Sequence, residues 1–189
     1  MASLLFLVSC DEAIDLDQPT VPLGDFKLGF NYIYAGKATK GPVSRSATQE
    51  EWEEAVKKAI DDRFLRYNGD TTYHFGISVE GYMLAPPGVP VVYKPKSVVI
   101  LNVTVWESNP ERKINDEPHK LVVFEDTSSG SAILGSGYDR TREEQLVELS
   151  ENTARSLENW LVEMHETYGW FIEDAVLNPP PLPRPEEER

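Results

Sequence analysis

The sequence predicts an α+β two-layer sandwich: a mostly antiparallel sheet of about four to five strands, two amphipathic helices on one face, element order βαβββα. Three observations predict it. Stretches 26–35, 72–84, 97–106 and 120–124 carry the apolar patterns of strands. Two stretches open with Thr-x-x-Glu and continue with apolar residues three and four apart, the mark of a capped, one-sided helix. The strands and helices do not alternate strictly, which favours helices gathered on one side of the sheet. One domain is expected over 26–176, preceded by a leader (1–9) and a tether (10–25) and followed by a tail (177–189).

Phe26 to Ala35 alternates. Phe26, Leu28, Phe30, Tyr32 and Tyr34 are expected on one face, and Lys27, Gly29, Asn31, Ile33 and Ala35 on the other. The expected use of the aromatic row is core packing; sugar or peptide binding is the alternative. Residues 36–46 read as a loop. Thr48-Gln49-Glu50-Glu51 is a capping box, and the helix behind it buries Trp52, Ala55, Val56, Ala59, Ile60 and Phe64. Glu53 with Lys57 and Glu54 with Lys58 are expected to pair, with Arg63 and Arg66 favouring the helix C-terminus and Asn68-Gly69 ending it. The strand–helix–strand link that this helix makes is expected to be a parallel crossover, right-handed if so.

Thr72 to Leu84 is a strand with Tyr73, Phe75, Ile77 and Val79 on one face and His74, Gly76, Ser78 and Glu80 on the other. A His–Ser–Glu relay there is disfavoured, because residues four apart on a strand lie about 13 Å apart. Ala85 to Pro95 is broken by prolines. Its Val89, Val91, Val92 and Tyr93 form the candidate interaction loop. Ser97 to Trp106 is the most apolar strand and is expected to be central, covered on both faces at its start. It pairs with Lys120 to Phe124 as a hairpin. The glycines of Thr127 to Tyr138 sit where a phosphate loop belongs, but no Lys-Ser or Lys-Thr follows Gly135, so nucleotide binding is not expected.

Thr141-Arg142-Glu143-Glu144 opens the second helix, which buries Leu146, Leu149, Thr153, Leu157, Trp160, Leu161 and Met164 and ends at Gly169. Trp170 to Val176 is expected to fold back on the domain. Asn178 to Arg189 is proline-rich and then acidic, a polyproline-type tail.

Charge excludes some partners. The chain carries 32 acidic and 18 basic side chains, a formal charge of −14. Nucleic acids bind through Lys and Arg displacing counterions, so no nucleic-acid partner is expected. Anionic lipid headgroups also repel such a surface, so membrane attachment needs a covalent anchor. His74, His119 and His165 are far apart in sequence and show no metal-ligand spacing. No cofactor, metal or catalytic residue is assigned.

The anchor candidate is Leu7-Val8-Ser9-Cys10, after the apolar run Ala2 to Val8 and before the acidic stretch Asp11 to Asp17. Cys10 is the single cysteine. The four residues resemble the lipobox of bacterial lipoproteins. The resemblance implies a thioether-linked diacylglycerol on Cys10, removal of the leader, and Cys10 as the new amino terminus. It also implies a protein held at the bacterial envelope, facing the periplasm; Asp11 and Glu12 leave inner or outer membrane open. One feature departs from the pattern: no Lys or Arg precedes Cys10, and the apolar run is at the short end of the 7–15 residues of a signal peptide. The expectation is a natural start upstream of Met1. The opposing reading makes residues 4–8 a buried strand and Cys10 a core thiol.

The layout over about 26–165 looks like small envelope lipoprotein domains, including those similar to the amino-terminal domain of TolB and to lipopolysaccharide-assembly lipoproteins. The Gly135-Ser136-Gly137-Tyr138 turn running into Glu144-Gln145 and Asn152 through Trp160 resembles bacterial lipoproteins as well. No residue role beyond Cys10 carries over. The leading expectation is a lipid-anchored, periplasm-facing binding or envelope-assembly module with a protein partner, or a lipid or glycan ligand. The alternatives are a lipid-anchored hydrolase and a soluble structural or interaction protein without lipidation.

Overall fold

The computed structural model describes residues 16–86, 96–125 and 140–172. Strand β1 (Lys27–Tyr34) and strand β3 (Thr72–Met83) run parallel, joined by helix α1 (Gln49–Phe64). A parallel pair needs such a crossover, as the strand–helix–strand order predicts. The two-residue strand β2 (Thr39–Lys40) extends this edge, parallel to the far end of β3. Strand β4 (Val98–Ser108) lies antiparallel on the other side of β3 and pairs with both β5 (Glu111–Lys113) and β6 (His119–Phe124). Helix α2 (Arg142–Tyr168) packs on β6 and on α1, while α1 packs on β1. The fold is therefore α+β, two helices on a mixed sheet of six strands. The two strands beyond the four stretches read from the sequence are β2 and β5, too short to carry a readable period.

The core lies between sheet and helices. Tyr73, Phe75, Ile77 and Val79 of β3 and Val99, Leu101, Val103 and Val105 of β4 are buried there. They meet Trp52, Val56, Ile60 and Phe64 of α1 and Leu149, Leu157 and Leu161 of α2, all buried. Each fully buried side chain of this size contributes about 1.5–3 kcal/mol. Phe26 centres an aromatic cluster, with ring centroids 5.1–6.1 Å from Phe64, Tyr67, Tyr73, Phe75 and Phe171. Trp170 and Phe171 fold back into this core, and Leu23 is buried ahead of β1.

Both capping boxes form. Thr48 Oγ1 accepts from Glu51 N and Thr48 N donates to Glu51 Oε2; Thr141 and Glu144 repeat the pattern. Gly169 caps α2 in the left-handed region at φ 67°, where a side chain would be strained. Helix α1 stops earlier than Asn68-Gly69 predicts, with Leu65 as its cap. Gly69 answers a different demand: a Cβ there would come 2.4 Å from Phe26 N. The Glu–Lys pairs expected on α1 do not form. Lys57 and Lys58 pair forward with Asp61 and Asp62, and Glu53 instead accepts from Ala35 N at 3.0 Å and Gln49 Nε2 at 2.8 Å.

One buried ion pair ties the helices together. Arg63 Nη1 donates to Glu158 Oε2 at 2.6 Å, and the Tyr67 hydroxyl donates to Glu158 Oε1 at 2.8 Å. Arg63 stands in the last turn of α1, as the helix dipole favours, and it is 5% exposed because α2 covers it.

Two expectations about faces fail. β4 is central but covered on one side only, since Val98, Ile100, Asn102 and Thr104 alternate outward and are half-buried. β1 does not keep one face along its length. Its register against β3 shifts between Leu28 and Phe30, leaving Gly29 as the extra residue of a β-bulge. Leu28 is buried before the bulge, and Asn31, Ile33 and Ala35 are buried after it. Phe30 and Tyr32 therefore point away from the core.

Candidate functional site

The bulge at Gly29 builds the site. By removing one step from the alternation, it turns Phe30 and Tyr32 onto the sheet face that no helix covers among the described residues. They are 58% and 64% exposed. The glycine is required by close approach, because a Cβ there would meet the His74 ring at 2.4 Å and the Thr72 methyl at 2.6 Å. The His74 ring fills that space. It stacks on Phe30 with centroids 3.9 Å apart and a 23° interplanar angle, and its Nδ1 accepts from Phe30 N at 3.2 Å. Partial burial lowers the His74 pKa, favouring the neutral ring.

Register assembles the rest. Phe30, His74, Trp106 and Lys113 stand in one row across β1, β3, β4 and β5. In the next row Tyr32 and Thr104 flank Gly76. Neighbouring strands are about 4.8 Å apart, so the missing side chain at Gly76 leaves a trough between Tyr32 and Trp106. A Cβ at Gly76 would meet nothing nearer than Thr104 O at 4.0 Å. The result is a cleft of about 450 Å³ bordered also by Ser108, Glu107 and Glu111. Glu107 is spent, since it is buried and paired with Arg112. Glu111 is the exposed acid of the lining, and no Lys or Arg lines the cleft.

The face continues in an apolar direction. Val122 and Phe124 of β6 are 48% and 56% exposed beside Ile100 and Val98. A shallower trough of about 630 Å³ runs there between Lys40, Met83, Ile100 and Lys120. Val122 and Phe124 thereby extend the exposed apolar part of this sheet face.

No catalytic relay assembles among the described histidines. Ser78 Oγ donates to Glu80 rather than to His74. His119, partly buried, stacks on the buried Trp160 at 4.0 Å and 3°. His165 Nδ1 lies 2.6 Å from Trp170 O. Among the described residues no three His, Cys, Asp or Glu side chains come together as a metal site, and no helix is long and apolar enough to cross a membrane.

Cys10, Val89, Val91, Val92 and Tyr93 lie outside the described residues, as does the glycine-rich stretch 127–138. What is described is how the roots of the two internal segments are held. Ala85 N donates to Ser97 Oγ at 3.0 Å, Ser97 N to Glu125 Oε2 at 3.2 Å, and Arg140 Nη1 to Glu125 Oε1 at 3.0 Å. Residues 86, 96, 125 and 140 thus converge at one end of the domain. The open-face cleft was not singled out from the sequence. Its signal is Gly29 inside a strand pattern, which marks a bulge.

No protein-family model matches this chain, and no curated protein matches it. Among solved structures, a Xanthomonas campestris protein of family model DUF330 is similar with 13% identity and a TM-score of 0.42, over 79% of this chain and 94% of that one. PelC of Paraburkholderia phytofirmans, solved as a dodecamer, is similar with 8% identity and a TM-score of 0.33, over 71% and 92%. A minor lipoprotein of Acinetobacter baumannii is similar with 14% identity and a TM-score of 0.30, over 73% and 95%. At these values no residue correspondence follows.

Proposed function

We propose that this chain is a lipid-anchored module of the bacterial envelope that binds a protein partner through the open face of its sheet. The observation that carries the binding half is the uncovered platform of Phe30, Tyr32 and Trp106 around the cleft floored by Gly76. Burying such aromatics is the usual energetic centre of a protein interface. The anchor half rests on the lipobox-like Leu7-Val8-Ser9-Cys10. Each buried CH₂ of an acyl chain contributes about 0.8 kcal/mol, so two or more chains hold the protein permanently. Gln18 O accepts from Arg66 at the domain surface. Seven residues separate it from Cys10, so at full extension the domain stands roughly 25–30 Å from the lipid.

A hydrolase of the carboxylate-pair type needs two converging, uncompensated acids. In the cleft lining Glu107 is neutralised by Arg112, and Glu111 is left alone, which supports binding over hydrolysis.

Two measurements test the proposal. Intact mass with fatty-acid labelling, made from the natural start in the native host, compares the wild type with Cys10→Ala; an unlipidated, uncleaved wild-type chain overturns the anchor. A photo-crosslinking amino acid at position 32 of the anchored protein, with and without Gly76→Leu, tests the face. Adducts that Gly76→Leu leaves untouched overturn the cleft as the binding surface.

A further inference from the structure

We propose that the proline-rich segment 178–189 of this same chain docks in the cleft between Tyr32 and Trp106, covering the surface that a partner must reach; the inference rests on that cleft being the binding site. Four observations converge on this occupant.

The first is where the described chain ends. Phe171 packs on Tyr73 at 4.8 Å and on Phe26 at 5.1 Å, and its carbonyl accepts from Asp25 N at 2.7 Å. Tyr73 is the residue before His74 of the cleft. The chain therefore leaves the core beneath the end of the sheet that carries the cleft, and Ile172 is already 48% exposed there. The second is length. Six residues separate Ile172 from Pro179. Extended, they reach about 20 Å, against a layer spacing of about 10 Å, enough to round the sheet edge.

The third is chemistry. Pro179-Pro180-Pro181-Leu182-Pro183-Arg184-Pro185 favours the polyproline II helix. Such segments dock in grooves walled by aromatic side chains, and their fixed φ leaves little entropy to lose. The exposed rings of Phe30, Tyr32 and Trp106 around an open glycine floor are a groove of that type. The fourth is charge. Arg184 has Glu111 as its counterpart at the cleft. Glu186 to Glu188 have Lys113, which stands opposite Trp106 on β5. An anionic small molecule finds no Lys or Arg in the lining.

Trp106 reads out the docking. Of the four tryptophans, Trp52, Trp160 and Trp170 are at most 8% exposed, while Trp106 is 40% exposed. Acrylamide quenching of the full chain is compared with a full-length variant carrying Pro180→Ser, Pro181→Ser, Pro183→Ser and Pro185→Ser, with Trp106→Phe to identify the signal. The expected result is a higher Trp106 quenching constant in the proline variant and protection regained on adding a synthetic peptide of residues 176–189. The same peptide, titrated by calorimetry, is expected to bind the proline variant and to lose that binding when Gly76→Leu is added. Equal quenching of wild type and proline variant overturns the proposal, as does peptide binding unaffected by Gly76→Leu. If the proline variant quenches like wild type while Gly76→Leu still removes crosslinks from position 32, the tail proposal alone fails and the binding face stands. If Gly76→Leu changes no crosslink, the binding face itself fails.

Discussion

Replacing Arg63 by Met is the sharpest test of how the two helices are joined. Arg63 and Glu158 meet at 2.6 Å with side chains 6% and 7% exposed. Removing the guanidinium leaves the Glu158 carboxylate buried with the Tyr67 hydroxyl as its remaining hydrogen-bond partner. Breaking a buried pair from one side costs about 3–5 kcal/mol, a large share of the 5–15 kcal/mol typical of a domain. Burial and the Glu158 carboxylate together push the Tyr67 pKa above its ordinary range, so its hydroxyl stays protonated and keeps donating to Glu158 at neutral pH. The double variant Arg63→Met, Glu158→Leu removes both charges and with them most of the penalty. It is expected to lie within about 2 kcal/mol of wild type, the residue being the unpaired Tyr67 hydroxyl. Recovery is helped because Arg63 Nη2 has no hydrogen-bond partner in the native fold. Urea unfolding followed by far-ultraviolet circular dichroism measures all three chains. A single variant within about 1 kcal/mol of wild type, or a double variant as unstable as the single one, refutes the reasoning.

Other expectations follow from the same geometry. Glu51 caps Thr48 N and holds Arg142, which lowers its pKa from 4.5 to about 2, with Arg142 the main cause. Its folded pKa lies below the unfolded one, so its contribution is full above pH 4.5 and is lost as pH falls towards 2. Because the pair is part-exposed, Glu51→Gln should cost less than about 1 kcal/mol at pH 7 and flatten the acid limb of a stability–pH curve; an unchanged limb contradicts this. Gly29→Val forces the His74 ring off Phe30, since its Cβ meets that ring at 2.4 Å; the His74 NMR titration should shift, and an unchanged titration contradicts the stacked geometry. Asn115 bonds Val105 N at 2.8 Å, Val103 O at 2.9 Å and Glu117 O at 2.8 Å, at the gap between the β6 and β5 pairings along that edge of β4. Asn115→Ala should cost about 1–3 kcal/mol and speed amide exchange at Val105, and protection equal to wild type refutes that role.

Much of the fold was legible because local signals agreed. Both capping boxes, the stripe of α2 and the buried faces of β3 and β4 follow from period and cap chemistry alone. What was not legible depended on register. A single extra residue, Gly29, inverts the face of everything after it in β1, so a continuous aromatic row in the sequence becomes Leu28 inside and Phe30 and Tyr32 outside. The burial of Arg63 was hidden for a similar reason: its partner Glu158 lies 95 residues away, and only packing of α2 on α1 brings the two together. β4 read as doubly covered because its apolar run has no polar break before Asn102; the structure leaves its outer side to the open face.

The measurement that bears most directly on the central claim is site-specific photo-crosslinking of the anchored protein in its own envelope. The probe is placed at position 32 on the open face or at position 58 on the exposed side of α1. A discrete protein adduct is expected from position 32, removed by Gly76→Leu, and none from position 58. Equal adducts from both positions, or adducts from position 58 alone, would contradict it.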